Sequence, residues 1–366
     1  MKKTISGLLA LILLLSVCAG CGNADQTPDQ ADDPGQTQEN IYASLLDVDP
    51  GEAALETGGN QIPMELYLYW LTYSCSSLEY QLNMFKSYYD MYGDLLNEDG
   101  TAKWSESLEG TPLNQLAKEQ AESNALSYAI LENVAAAHNI SLTDEDKSAM
   151  ETDLNSYIEQ LGGEEAYAQN LKEMGISQES FERVSATSYL YQHLIELAQD
   201  PSSSLYQAPS DNDAYVDHIL LATKNTETNE PLSDEEIQAK KTLAGELLAQ
   251  LQAAEDLETL FTQLAEEHGE DPGRAAEAGY LINPETNFVQ EFLDAAFTLK
   301  PGEISGIVES DYGYHILLRK ELTENQLATV AESHLADYLD QQMAEAMDGV
   351  VRSEKLDSID AGTFFT

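Results

Sequence analysis

Asp311-Tyr312-Gly313-Tyr314-His315-Ile316-Leu317-Leu318 is the stretch on which the fold turns. Side chains alternate across a strand, so Tyr314, Ile316 and Leu318 share one face while His315 and Leu317 share the other. Gly313 stands just before this run, where a bulge or a close backbone approach is expected. A single histidine on an apolar strand reads most simply as a satisfied core residue. A second histidine in the same setting alters that reading. Val216-Asp217-His218-Ile219-Leu220-Leu221 is another short apolar strand with one inward histidine.

The segment between the two strands carries further signals. Glu270-Asp271-Pro272-Gly273 comes first, then Phe288-Val289-Gln290-Glu291-Phe292, then Ala295-Ala296-Phe297-Thr298-Leu299-Lys300-Pro301-Gly302-Glu303-Ile304. Ser233 with Glu236 reads as a capping box that opens a helix running to Ala254, and Leu257–His268 reads as a second helix. A short strand near Tyr280–Ile282, a helix at Val289–Phe297 and strands near Ile307 and Tyr314–Leu318 complete the unit. This is an α+β pattern with a small antiparallel sheet. In order and spacing together, Val216 to Glu321 resembles a parvulin-type peptidyl-prolyl isomerase domain.

The resemblance implies a site. His218 and His315 correspond to the family's paired inner histidines, hydrogen-bonded to one another. Asp271 falls where the family carries Cys or Asp, and Ser310 matches a Thr/Ser that supports the histidines. Phe288 and Phe292 would form the prolyl cup, with the pocket leucine falling on Tyr280 or Leu281. His218, Asp271, His315 and Ser310 are thus the implied catalytic set. Asp271 would face the amide from the pocket rim, so its removal should spare stability. The implied reaction is cis-trans isomerisation of Xaa-Pro bonds, with no cofactor and no metal.

The chain departs from the family pattern in places. Glu277-Ala278-Gly279-Tyr280-Leu281 stands where Gly-Gly-Asp-Leu-Gly is usual, Gln290 replaces a common proline, and Phe288 is bulkier than Met. These changes narrow or reshape the cup. Thr226-Glu227-Thr228-Asn229-Glu230 occupies the place of the basic loop of phosphate-selective relatives, so a phospho-Ser-Pro preference is not expected.

Outward from this domain, the N-terminus reads as an export signal. Lys2 and Lys3 precede an apolar run from Ile5 to Cys18, too short to span a bilayer, followed by Ala19-Gly20-Cys21. The cysteine after Ala-Gly resembles the bacterial lipoprotein box, although Cys18 stands where an aliphatic residue is usual. That implies a signal and lipobox over residues 1–21 with cleavage before Cys21, a diacylglycerol on the Cys21 sulfur, and a place on the outer face of the cell membrane. Residues 22–60 are rich in Asn, Asp, Gln, Thr, Pro and Gly at their start and read as a disordered tether. Cys75 is then left without a partner for an intrachain disulfide, and the chain has no zinc-type cysteine spacing.

Residues 61–200 read as helices. Leu66, Trp70 and Tyr73, then Tyr80, Met84 and Tyr88, recur at steps of three and four, with Tyr67, Tyr69, Tyr89 and Tyr92 widening the apolar face. Helices follow at Leu113–His138, Thr143–Leu161, Glu164–Met174 and Gln178–Ala198. Thr143 and Asp146 form a capping box, and Gly162-Gly163 and Gly175 act as stops. Residues 201–213 are a linker, 214–322 the parvulin-like domain, 323–350 a last amphipathic helix, and 351–366 a tail. Resemblance to PrsA-like and SurA-like foldases implies that the last helix returns to the N-terminal helices. The parvulin-like domain would then be inserted in an all-α chaperone domain.

The chain carries 66 acidic and 17 basic residues among 366. A field of that sign disfavours nucleic acid, which needs Lys and Arg on its phosphates. There is no G-x-S-x-G, H-E-x-x-H, Walker loop or G-x-G-x-x-G. The reading is a membrane-tethered foldase acting on unfolded or partly folded exported proteins, with a homodimer left open. Its alternative is a non-catalytic holdase with a degenerate parvulin domain.

Overall fold

The computed structural model describes residues 46–225, 228, 230–274 and 279–364. Cys21, the signal, most of the tether, Thr226, Glu227, Asn229, Glu277 and Ala278 lie outside the described residues. The elements in chain order are β1 (Ala53–Thr57), β2 (Asn60–Pro63), α1 (Met64–Phe85), α2 (Asp90–Asp94), β3 (Ser107–Leu108), β4 (Thr111–Pro112) and α3 (Leu113–Ala137). Then come α4 (Asp144–Leu161), α5 (Glu164–Met174), α6 (Gln178–Gln199), β5 (Ala214–Ala222), α7 (Asp234–Gln252), α8 (Leu257–His268), β6 (Tyr280–Ile282) and α9 (Gln290–Thr298). The chain continues through β7 (Val308–Ser310), β8 (Gly313–Lys320), α10 (Glu324–Gly349), β9 (Val351–Arg352) and α11 (Lys355–Ser358), then a turn of 3₁₀ helix at Ala361–Phe364. The chain divides into two compact units. Of the described residues, one takes those up to Ala198 with Ser203–Leu205 and those from Leu335 on; the other takes Gln199–Ser202 and those within Tyr206–His334. No described helix is long and apolar enough to cross a membrane.

The first unit is built on α1 and α3. Ala117, Ala121, Ala125 and Ala129 recur every fourth residue of α3, all buried. A stripe of small side chains lets a neighbouring helix approach closely, and large residues of α1 fill the remaining space. On α1 the seam is Leu68, Leu71, Cys75, Leu78 and Leu82. This corrects the face expected from the spacing of Tyr80, Met84 and Tyr88, which are 69 %, 44 % and 76 % exposed. The first half of α1 is covered on several sides, so the spacing of its apolar residues does not single out one stripe. The second half is covered on one side only, and there the core takes Cys75 and Leu82. Burial, then the charges of Glu79 and Asp360, push the Cys75 thiol up to about 12, which leaves it an inert core residue.

Leu335, Leu339 and Met343 of α10 belong to this same core. The unit also corrects two expectations. It is not purely helical, because β2, β1 and β9 form a three-stranded sheet. The tether ends before residue 60, since Ala54 and Leu55 of β1 are fully buried. Strand β1 pairs with β9 through Leu55↔Arg352 and Glu56↔Val351, so the tail is structured too. Such a pairing joins segments about as far apart as the chain allows, and local periodicity carries no trace of it. The caps fall where the sequence puts them. Thr143 and Asp146 close a reciprocal capping box on α4, and Gly162 ends that helix at φ 103°.

The second unit is a four-stranded antiparallel sheet in the order β6-β5-β8-β7. Ile219, Leu221, Tyr314, Ile316 and Leu318 pack on one face with Leu247 and Leu251 of α7 and Phe261 and Leu264 of α8. Ala214, Val216 and Leu317 pack on the other with Ile282 and with Phe292, Leu293 and Ala296 of α9. Every residue of β5 is buried, as a strand covered on both faces requires. Gly313 starts β8 at φ 147°, where a Cβ would lie 2.2 Å from the Leu221 carbonyl oxygen, so only glycine fits this close approach. The segment read as a linker is tied down at its end. Buried Arg319 donates to the carbonyls of Asp211, Asp213 and Leu299.

Candidate active site

Strand register brings the two histidines together. His218 stands opposite Leu317 and Leu220 opposite His315, so the imidazoles are diagonal neighbours on the α9 face of the sheet. Their Nδ1 atoms lie 3.4 Å apart, and both residues are at most 4 % exposed. His218 Nε2 lies 2.8 Å from Asp271 Oδ2, and His315 Nε2 lies 2.7 Å from Ser310 Oγ.

The proton positions follow from this chain of contacts. A carboxylate can only accept, so His218 Nε2 carries the proton and donates to Asp271. With both rings neutral, His218 presents a bare Nδ1 that accepts from His315 Nδ1–H. His315 Nε2 is then bare and accepts from the Ser310 hydroxyl. Ser310 Oγ in turn accepts the Tyr312 N–H at 3.2 Å. All the donors point along one line toward Asp271.

Asp271 takes more than one of these bonds. Tyr280 donates its phenol to Oδ2 at 2.6 Å, and the Gly273 N–H donates to Oδ1 at 3.0 Å. Burial pushes the carboxyl up, but the bonds from His218, Tyr280 and Gly273 outweigh it and hold Asp271 well below the usual carboxylate range. This revises the expectation that Asp271 is a rim residue whose removal spares stability. It closes a buried network, so its loss leaves His218 Nε2–H without its acceptor.

The cup lies against this line. Phe288 and Phe292 stack with centroids 4.9 Å apart, and Tyr280 meets Phe288 edge-on at 5.2 Å. Phe292 also meets His218 and His315 edge-on, at 5.2 and 5.8 Å. Strand alternation puts Tyr280 and Leu281 on opposite faces of the sheet. Tyr280 pairs with Val216 and joins the α9 face, whereas Leu281 pairs with Tyr215 and points to the opposite face, outside the cup.

Sequence reasoning missed four residues around this site. Asp217 is fully buried and meets Arg274, with Nε 3.0 Å from Oδ1. Glu270 bonds to β5 and is paired with Lys240 of α7. A usable signal was present, since Asp217 interrupts an otherwise apolar run, and a buried carboxylate demands a cation or several donors.

The site has a definite pH response. Burial above all, against the attraction to Asp271, lowers His315 to about 4. An unfolded histidine titrates near ~6.5, so the unfolded chain takes up a proton that the native unit refuses. This contribution to stability is complete above the unfolded value and is lost as pH falls from there toward 4. Asp271, with a depressed value, adds loss only below the ordinary carboxylate range. In the first unit His193 has the opposite sense: bonds to Asp146 and Glu196 raise it, so its contribution is present at acid pH and fades as pH rises through the raised value. Both tryptophans, Trp70 and Trp104, lie in the first unit. Lowering the pH from neutral to the acid side of the unfolded histidine value should therefore lower the unfolding temperature of the 206–334 unit seen by calorimetry. The tryptophan-reported transition should not follow it down. A 206–334 transition that holds or rises over that interval would contradict the burial of a neutral His315.

Residues 218–321 match the family model of the PPIC-type PPIase domain, or rotamase. The foldase protein PrsA of Geobacillus kaustophilus is 45 % identical over 76 residues, which is 20 % of this chain and 25 % of the relative. The foldase protein PrsA of Staphylococcus epidermidis is 25 % identical over 217 residues, 58 % of this chain and 62 % of the relative. The chain thus spans from a quarter to somewhat under two thirds of these curated relatives. A crystal structure of PrsA from Bacillus cereus is 20 % identical, with 69 % of this chain and 91 % of that one covered at a TM-score of 0.32.

Proposed function

We propose that this chain, whose residues 218–321 form a PPIC-type peptidyl-prolyl isomerase domain resembling that of the PrsA foldases, catalyses cis-trans isomerisation of Xaa-Pro bonds in unfolded or partly folded exported proteins. The observation that carries this reading is the juxtaposition of an aromatic cup with an ionised, fully bonded carboxylate. Isomerisation breaks no covalent bond; it turns an amide over a barrier of ~18–20 kcal/mol. The planar amide owes its stiffness to resonance that places negative charge on the carbonyl oxygen. Phe288, Phe292 and Tyr280 hold the pyrrolidine ring and exclude water. The Asp271 carboxylate disfavours the charge-separated planar form more than the twisted one, which has given that charge up. The line from Ser310 through His315 and His218 keeps the carboxylate in place and ionised.

The same reading holds Cys21 to be a lipidated anchor on the outer face of the cell membrane, on the strength of the sequence around it. Replacing Cys21 with serine should abolish lipid labelling and release the chain from membranes; retention of the unlabelled variant would end the anchor proposal.

A second reading, chain binding without turnover, draws on a different observation. Among the described residues Tyr80, Met84, Phe85, Tyr88, Tyr89 and Met91 form an exposed apolar group at the end of α1 and into α2. Exposed aromatic groups of this kind bind unfolded chains. Refolding of a proline-limited client separates the two readings. Isomerase action predicts an accelerated slow phase that is lost in Asp271→Ala and kept in a Tyr88→Ser, Tyr89→Ser variant. Suppressed aggregation without any acceleration, lost in the tyrosine variant, would favour the holdase.

A further inference from the structure

Strand β6 covers the edge of β5 only as far as Val216. Beyond that point the even-numbered residues of β5 still direct backbone groups toward the vacant side. A buried strand edge must find partners for these groups. The turn after α8 supplies them. Glu270 N–H donates to the Leu220 carbonyl at 2.9 Å, and its carboxylate accepts the Ala222 N–H at 2.8 Å. The His218 N–H is met by Asp217 Oδ1 at 2.9 Å. Each of these edge carboxylates carries a cation, Lys240 on Glu270 and Arg274 on Asp217.

The two pairs grip the same turn. Asp271 to Arg274 closes on itself through the Arg274 N–H and the Asp271 carbonyl at 3.3 Å. One end of the turn is held at Leu220 and Ala222, the other at Asp217, and His218 lies between these anchor points. We propose that the Asp217–Arg274 pair is a positioning device. It fixes the 271–274 turn to the strand that bears His218, and so sets the distance from the Asp271 carboxylate to His218 Nε2 and to the cup. Stability alone does not account for the pair. A buried ion pair gains little or nothing over apolar residues of the same volume, because desolvation offsets the attraction. The His218 N–H by itself requires only an acceptor, which a neutral amide supplies equally well. What the charged pair adds is a planar guanidinium fork on a carboxylate, which fixes direction as well as distance.

This inference rests on the isomerase reading for its kinetic arm and on geometry alone for its spectroscopic arm. The test uses the full chain, a short Xaa-Pro peptide as substrate, and the hydrogen-bonded Nε2–H proton of His218 observed by NMR. In Arg274→Gln, kcat should fall about tenfold to a hundredfold, the scale of a displaced catalytic group. KM should stay within about twofold, since the cup is untouched. The Nε2–H signal should shift or broaden away, and Arg274→Lys should restore part of both. Asp217→Asn keeps the acceptor for the His218 N–H and should show the same kcat loss, so it decides the matter if Arg274→Gln does not fold. Wild-type kcat in either variant overturns the proposal. So does a loss of kcat with melting temperature while the Nε2–H signal stays in place, for the pair would then be structural only. An inactive wild type with the signal lost in Arg274→Gln would end the isomerase reading and leave the positioning role standing.

Discussion

Phe292→Ala is expected to destabilise the 206–334 unit by about 3–5 kcal/mol, the usual cost of truncating a buried phenylalanine. Phe292 is 1 % exposed and sits where α9 meets the sheet, between Phe288 and the two histidines. Alanine would open a cavity in the smaller of the two apolar layers and remove three ring contacts, each worth roughly 0.5–1.5 kcal/mol between aromatic partners. A domain of ordinary stability holds only ~5–15 kcal/mol in all, so much of the unit's margin would go. Denaturant unfolding measures this, with Phe292→Leu as a companion that keeps most of the volume. The leucine variant should stay folded but bind an Xaa-Pro peptide more weakly, because the flat stack with Phe288 is gone. An alanine variant within about 1 kcal/mol of wild type would mean that α9 collapses onto the sheet and that Phe292 is no pillar of the cup.

The second large effect concerns the histidines. His218→Ala takes the donor from Asp271 and the acceptor from His315 Nδ1; His315→Ala takes the donor from His218 Nδ1 and the acceptor from Ser310. Each change leaves buried polar groups unmet, at about 1–3 kcal/mol. Removing both rings leaves fewer orphaned groups than the two single losses together. The double variant should therefore be more stable than the sum predicts, with a coupling of roughly 0.5–3 kcal/mol. Asp271→Ala belongs to the same cycle and should destabilise as well, because it strands His218 Nε2–H and frees the Tyr280 phenol. Thermal or denaturant unfolding of the single and double variants reads the coupling directly. Additive losses would mean that the 3.4 Å approach of the rings carries no bond.

Several of these residues were legible in the chain and several were not. Alternation alone put His315 with Leu317 and Tyr314 with Ile316 and Leu318, and those are the two faces found. Ser233 with Glu236, Thr143 with Asp146, and Gly162 likewise declared their caps, since each cap is closed by residues within a single helical turn. The seam of α1 was not legible beyond its midpoint. Tyr80, Met84 and Tyr88 keep a helical spacing as regular as that of the true seam, and only the position of the neighbouring helix decides which stripe is covered.

The sequence by itself determined the strands and helices of the 214–322 segment, the two faces of its histidine strands and the capped helix ends, because a strand's period, a helix's period and a cap are properties of adjacent residues. The tertiary structure alone decided which distant groups meet. It put Tyr280, and not Leu281, on the α9 face through the pairing of β6 with β5, and paired β1 with a β9 almost at the other end of the chain. It also turned Asp217 from an anomaly in an apolar strand into the acceptor for an open strand edge. That outcome depends on where β6 stops and on the path by which the following turn brings Arg274 back. Burial makes an unpaired carboxylate costly, but only the fold says which cation can reach it.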